Sequence, residues 1–327
     1  MQVGKLPENI LKRSIFRQLH TRRPEVLTGA GVGEDCAALA LDPDEILVLS
    51  TDPITGTATD IGRLAIPVAI NDLATTGAEP VGVLVTLLLP EGTDEAQIRA
   101  IAMQMDAVCG KYNVQVLGGH TEVTRAVNRI VVSVTGVGRV KKDALLTTGG
   151  AKPGDAILVT KWIALEGTSI IAKEKEQELL TRLPRHLIEE AKAFDRYLCV
   201  LEEARIAASC GAHAMHDITE GGILGALWEM AEASGVGLRI DAKRIPVRQE
   251  SIEICEFFGI NPYGLIASGS MLIAAPNGPE TARALQAAGI PAAIAGYACE
   301  GSERLLINGD KRRFLEPPKT DEIYKVI

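Results

Sequence analysis

The sequence predicts a mixed α/β or α+β protein of two layered domains, and three observations predict it. Short apolar runs that read as buried strands alternate with segments whose apolar residues recur at helical spacing. Glycine and other turn residues separate them. The 327 residues, 46% of them hydrophobic, are enough to bury two cores. The strands exclude a helical bundle.

Taken in order, Leu6 to Leu19 places Ile10, Leu11, Ile15 and Leu19 at helical spacing. Ile46 to Leu49 is a short apolar strand that delivers Thr51 and Asp52 at its end. Asp60 is positioned to cap a helix running to Gly77, a C-terminal left-handed position, with Pro67 kinking the helix or marking a late start. Asn71 and Asp72 then fall mid-helix. Val81 to Leu89 reads as a buried strand, Thr93 as the cap of a helix to about Lys111, and Val114 to Leu117 as a strand entering a tight turn at Gly118-Gly119. Ile130 to Val140 is a further strand.

The pattern breaks at Gly149-Gly150-Ala151-Lys152-Pro153-Gly154-Asp155, so the expected domains are 1–150 and 151–327. The second half carries helix patterns near 184–208, 220–234 and 279–288, and strands near 156–160, 236–241, 269–275 and 292–298.

A net charge of -8 argues against nucleic acid and for small-molecule or protein partners. The six cysteines include no CxxC pair and no regular spacing, which argues against zinc and disulfide frameworks and for reduced thiols. The N-terminus lacks a signal-like apolar core, and the longest apolar run, Val81 to Pro90, is too short to cross a bilayer. A cytoplasmic location without membrane contact is the expectation.

Four polar clusters punctuate the first half: Gly31-Val32-Gly33-Glu34-Asp35, Asp52, Asn71-Asp72 and Gly118-Gly119-His120-Thr121-Glu122. Carboxylates beside glycines or at the edges of apolar segments suit divalent metals held against an anionic ligand such as a nucleotide triphosphate. Each cluster also has a plainer reading. Gly31 and Gly33 are ordinary loop material as well as a close approach to a ligand. Asp52 after a strand is more often a turn residue or helix cap than a metal ligand. Asn71 and Asp72 compete with the helix backbone and need an external reason, a metal or phosphate site, unless they face solvent. His120 reads as an acid, ligand or phosphate donor, or as a satisfied structural histidine.

In the second half, His216-Asp217-Ile218-Thr219-Glu220-Gly221-Gly222 precedes an amphipathic helix. Thr219 or Asp217 could cap it, leaving free amides that suit an anion, and capping alone explains most of the pattern. No GxxxxGK[ST] sequence occurs, Gly29 to Gly33 does not match a dinucleotide fingerprint, and spacing picks out no Ser-His-Asp arrangement. P-loop, Rossmann and serine-hydrolase readings are disfavoured.

Taken in order, GVGEDCAAL, STD, DIGRLAIPVAINDLATTGAEP, LGGHTEV, HDITEGGILGALWEMAEASGVGL and GLIASGSMLIA resemble the aminoimidazole ribonucleotide synthetase (PurM-like) superfamily over nearly the whole chain. The chain looks most like the branch of the hydrogenase maturation protein HypE. The resemblance implies an N-terminal ATP-binding domain that pairs with its twin in a homodimer to form a β-barrel, and a C-terminal α/β layered domain that completes the nucleotide site. It places Asp35, Asp52 and Asp72 as acids holding Mg²⁺ and triphosphate, with Gly33 and Asn71 beside them. It also implies Gly119, Thr121 and Glu122 near the phosphates, Asp72 and His120 as catalytic residues, and Asp217, Thr219, Glu220, Gly221 and Gly222 near the nucleotide. Phosphoryl transfer needs charge neutralisation and alignment more than a special nucleophile, which agrees with a site of acids and glycine turns.

Some residues depart from that branch and its neighbours. HypE carries a cysteine at its extreme C-terminus, where a carbamoyl group is loaded and dehydrated, whereas this sequence ends Tyr324-Lys325-Val326-Ile327 and its nearest cysteine is Cys299, in an expected strand. Thiamine-monophosphate kinases pair two aspartates where Glu34-Asp35 stands and place an aspartate at His120. Selenophosphate synthetase would want a reactive Cys or selenocysteine with a nearby lysine, but Cys36, among Ala37, Ala38 and Leu39, reads as a small buried residue. The expectation is therefore an ATP- and Mg²⁺-dependent, homodimeric HypE-like enzyme that phosphorylates a small molecule or a carbonyl or amide oxygen on a small or protein-bound acceptor. The alternatives are a non-catalytic nucleotide-binding protein that partners other maturation proteins, and a thiamine-monophosphate kinase.

Overall fold

The computed structural model describes residues 4–5, 8–30, 36–54, 60–317 and 320–327. The chain divides into two compact units, 1–73 with 78–145, and 74–77 with 146–327. Gly33 and Asp35 lie outside the described residues.

The first unit holds strands β1 (Gly4–Lys5), β2 (Val26–Thr28), β3 (Ala38–Leu39), β4 (Glu45–Ile54), β5 (Glu79–Leu89), β6 (Gln115–Val123) and β7 (Val131–Lys141), with helices α1 (Glu8–Ser14), α2 (Ile61–Thr75) and α3 (Glu95–Tyr112). Five strands form one sheet in the order β1-β6-β5-β7-β4, while β2 and β3 pair separately. β5 and β6 run parallel. Parallel neighbours need a long crossover, and α3 supplies it. A capping box starts α3, where the Asp94 side chain accepts from the Gln97 amide, and Asn113 ends it in the left-handed region. The cap is thus Asp94 rather than Thr93, whose hydroxyl donates instead to the Pro90 carbonyl.

Two sheet elements differ from the sequence expectation. β4 continues through Asp52 to Ile54, so Asp52 lies within a strand and not at its end. β4 is an edge strand, which tolerates the missing N–H of Pro53. β6 likewise continues through Gly118 to Glu122, with no turn there.

One sheet face is buried under helices. Val83, Val85, Leu87, Val132 and Val134 point into it, and α2 closes down over Gly136, where an added Cβ would meet the Ala69 carbonyl at 2.9 Å. Leu47, Leu49 and Leu84 are exposed on the opposite face. Cys36 is exposed as well, correcting its reading as a buried residue; its neighbour Ala38 belongs to the separate β2–β3 ribbon, which buries little.

The second unit holds β8 (Ala156–Thr160), β9 (Ala214–Asp217), β10 (Gly237–Asp241), β11 (Met271–Ala275), β12 (Ala292–Cys299), β13 (Arg304–Asn308) and β14 (Lys311–Phe314) in one sheet ordered β14-β13-β10-β12-β8-β11-β9. Its helices are α4 (Leu165–Glu174), α5 (Glu176–Leu179), α6 (Arg185–Lys192), α7 (Leu201–Ser209), α8 (Gly222–Ser234), α9 (Gln249–Phe258) and α10 (Gly278–Ala287). β8 is buried on both faces. Ile157 and Val159 join a core with Ile223, Leu227 and Met230 of α8, while Ala156 and Leu158 join another with Ala204 and Ala207 of α7 and Leu285 of α10. Helices on both sides of a central sheet explain why its strands read as unbroken apolar runs. The single helix expected over 184–208 is broken between α6 and α7 by a 3₁₀ turn at Ala193–Tyr197, anchored by the buried Phe194.

Candidate functional site

The acids Asp52 and Asp72 meet through a third residue. Side chains at i and i+2 of a strand share a face, so Ser50 and Asp52 both point toward α2. The Ser50 hydroxyl donates to Asp72 Oδ2 on α2, and Asp52 Oδ2 lies 3.5 Å from the same hydroxyl. Gly136 sets this approach, because it pairs with Ser50 in the register of β4 and β7 and lets α2 lie directly over that row. Asn71, adjacent on the helix, is 0% exposed. An amide and a half-buried carboxylate in mid-helix are therefore tied into the unit and do not face solvent.

Asp52 and Asp72 supply hard oxygen donors, the kind Mg²⁺ takes from one or two carboxylates while substrate phosphates and water fill its remaining positions. Among the described residues no three Asp, Glu, His or Cys side chains gather closely enough to hold a metal by themselves. Ser50 is the residue that sequence reading missed. Its signal was available, since it precedes Asp52 by two positions in a strand.

His120 does not lie beside these acids. β-sheet alternation places His120 and Glu122 in register with Thr86 and Leu88, on the exposed face that also carries Leu49 and Leu84. The ring Nε2 of His120 lies 3.3 Å from Glu122 Oε2. Thr121 alternates to the helix-covered face and is buried, in the row of Leu87. Gly119 pairs with Val85, in the row that leads through Val134 to Asp52.

The segment entering the Gly31 to Asp35 motif is firmly held. Arg23 pairs with Glu25 and Glu79 at 2.8 Å each, and its amide donates to Gln115 Oε1 at 2.7 Å. The Arg23 guanidinium holds the Glu25 carboxyl down to about 2. This network anchors the strand that leads to Gly29 and Ala30.

In the second unit, Asp217 ends β9 and is 4% exposed, and Gly221 in the left-handed region starts α8. Neither Thr219 nor Asp217 caps α8. The Thr219 carbonyl accepts from the Gly222 amide, and the Gly221 amide donates to Asp321 Oδ2 at 2.7 Å. The anion-favouring start of α8 thus already meets a carboxylate of the same unit. Glu220 acts on the Tyr324 hydroxyl, raising its pKa. His216 Nε2 lies 2.9 Å from Glu229 Oε2 on α8.

Two further acids were not anticipated. Asp321 is 1% exposed, and burial raises its pKa against hydrogen bonds from the Ile323, Gly221 and Ile266 amides. Glu166, in the first turn of α4, is 6% exposed, and its Oε2 has no hydrogen-bond partner among the described residues. Burial pushes its carboxyl up to about 6, with hydrogen bonds from Ser268 opposing and the charges of Asp321 and Asp217 adding. Its signal was a lone acid in the otherwise apolar and small Ile163 to Ala172. Asp321 had none, being a hundred residues from its partner Gly221.

The raised Glu166 carboxyl has a definite consequence for stability. Its folded pKa exceeds the ordinary 4.5, so the fold favours the protonated form; stability is complete below pH 4.5 and is lost as pH rises through about 6. The rise is worth about 2 kcal/mol. Glu166→Gln is expected to raise the melting temperature at pH 7.5 and to leave it nearly unchanged at pH 4.5, measured by calorimetric melts; a variant less stable than wild type at pH 7.5 refutes this.

Comparison with known proteins accords with this architecture. Residues 33–140 match the AIR synthase related protein, N-terminal domain family, and residues 152–307 match its C-terminal domain family. A putative hydrogenase expression/formation protein of Methanocaldococcus jannaschii is 28% identical over 99% of this chain and 97% of its own length. The carbamoyl dehydratase HypE of Rhodobacter capsulatus is 30% identical over 84% of this chain and 78% of its own. A thiamine-monophosphate kinase of Methanospirillum hungatei is 31% identical over 67% and 71%.

Among solved structures, hydrogenase maturation protein HypE in complex with ATP superposes with a TM-score of 0.82 at 22% identity, covering 98% of this chain and 97% of that one. A chain of a HypE–HypF complex gives a TM-score of 0.73 at 21% identity, covering 83% of this chain and 90% of that one. These likenesses establish the two-domain PurM-like fold. With both family domains matched in order and a HypE relative aligned over most of both lengths, the chain belongs to the AIR synthase related protein family, alongside its HypE members.

Proposed function

We propose that this chain is an ATP- and Mg²⁺-dependent HypE-like enzyme that moves the γ-phosphoryl group onto a carbonyl or amide oxygen of a small or protein-bound acceptor. The observation that carries the reading is the Ser50 hydroxyl between Asp52 and Asp72, beside the buried Asn71. When bound, Mg²⁺ would neutralise the phosphates, held by Asp52 and Asp72 and by Asp35 of the Gly31 to Asp35 motif. Ser50 fixes the carboxylates before the ligand arrives, so little reorganisation is needed. Gly33, Gly119 and Thr121 remain the proposed nucleotide contacts of the first unit. His120 and Glu122 are assigned to the other sheet face.

Isothermal calorimetry with a non-hydrolysable ATP analogue, with and without Mg²⁺, tests the site. Mg²⁺-dependent binding supports it, and no binding overturns it. Steady ADP release with a carbamoyl or amide acceptor supports the enzyme. ADP release with thiamine monophosphate alone would transfer the chain to the kinase reading, which the Methanospirillum relative supports. Binding without turnover would leave the non-catalytic alternative, a partner of other maturation proteins.

The proposed homodimer rests on the exposed face of the first sheet. Leu49 is 59% exposed there and Leu47 is 47% exposed, with Leu84 on the same face. Exposed leucines gathered on one sheet face favour burial against another copy. Leu49→Glu is expected to convert a dimeric wild type to monomer in sedimentation equilibrium with its circular-dichroism spectrum retained; a wild type that is already monomeric refutes the dimer.

A further inference from the structure

We infer that the edge strand β14 receives an extended acidic segment of a partner polypeptide, added to the sheet as a further strand. β14 reads Lys-Arg-Arg-Phe, all four residues are exposed, and its only neighbour among the described residues is β13. One main-chain edge is therefore open for pairing. In a chain of net charge -8, three cations stand consecutively, and none of Lys311, Arg312 and Arg313 makes an ion pair among the described residues. The nearby acids are Asp310 in the β13–β14 turn, Glu316 beyond the strand, Glu322, which lines a cavity with Arg313 and pairs with Lys325 at 2.7 Å, and Asp241, which pairs with Arg244 at 3.6 Å.

The register states what kind of segment fits. Arg313 pairs with Leu306 and Lys311 with Asn308, so these two cations share one sheet face, while Arg312 and Phe314 share the other. Two residues along a strand span about 7 Å, which matches acids at alternate positions of an added strand. Beside the strand lies a cavity of about 590 Å³, lined by Ala242, Tyr263 and Leu306 together with Lys311, Arg312 and Arg313. That volume suits the side chains an added strand would turn inward. The Tyr263 hydroxyl, which donates to the Ala242 carbonyl at 3.2 Å, fixes part of that lining. Charge on an edge strand also serves to deter aggregation. Cations at alternate positions beside a cavity go further, because they discriminate among incoming strands.

The test uses the full chain and a fluorescein-labelled peptide of about six residues, the usual strand length, alternating glutamate and valine. Anisotropy should show saturable binding. Lys311→Glu combined with Arg313→Glu should weaken it by at least about tenfold while leaving the melting temperature and nucleotide binding unchanged. N-methylating alternate peptide amides, or replacing glutamate by glutamine, should weaken it comparably. The inference is overturned if wild type does not bind the peptide, or if the charge-reversed variant or the N-methylated peptide binds as wild type does. It is equally overturned if inorganic tripolyphosphate competes as well as unlabelled peptide, which would make the patch a shape-blind anion surface. Because the nucleotide readout is separate, failure here and failure of the proposed ATP site are distinguishable.

Discussion

Asp72→Asn is expected to lower ATP turnover about 10²- to 10³-fold, the cost of removing one preorganised charge-stabilising group, and to abolish Mg²⁺-dependent binding of the ATP analogue. Asparagine matches the size of aspartate, and its side-chain carbonyl still accepts from the Ser50 hydroxyl, so α2 stays seated on β4. What the substitution deletes is negative charge. Neutral oxygen is a poor Mg²⁺ donor beside a carboxylate, and a site shared with Asp52 loses half of its described anionic donors. The melting temperature of the ligand-free protein should change little. If the variant binds Mg-nucleotide as tightly as wild type, Asp72 is not a metal-binding acid, and the proposed site must be rebuilt around other residues.

The fold and the candidate site were legible to different extents, for different physical reasons. Alternation and apolar runs reveal a strand wherever burial is uniform, as in β8, because local pattern and tertiary environment agree there. Gly77 was readable as a helix terminus since its left-handed φ of 76° is a local requirement. Which polar residues share a face is a matter of register, and register needs the partner strand. Asp52 and His120 looked alike in sequence, yet they stand on opposite faces because β6 does not turn at Gly118-Gly119. Glycine pairs usually mark turns, and here the pair serves a close crossing inside a sheet. The start of α8 looked like a free anion site for a similar reason: its occupant, Asp321, lies far away in the chain.

That close crossing makes Gly119→Ala the most damaging single-methyl substitution expected in the first unit. Gly119 has a φ of 145°, within the region open to glycine and costly for other residues. A Cβ there would lie 1.8 Å from the Val85 carbonyl oxygen and 2.8 Å from the Val85 amide nitrogen. Both obstacles are backbone of the neighbouring strand, so no rotamer change relieves them, and β5 and β6 would have to part where Leu84 and Val85 pair with Gly118 and Gly119. Strain and lost pairing together should cost at least about 3 kcal/mol. Denaturant melts followed by circular dichroism are expected to show unfolding shifted to markedly lower denaturant. Gly118→Ala is the control, because its Cβ would meet only Leu84 Cδ2 at an ordinary 3.5 Å, and it should melt close to wild type. Equal stability of the two variants would mean that β6 turns at this pair after all, and with it would go the assignment of His120 and Asp52 to opposite faces of the sheet.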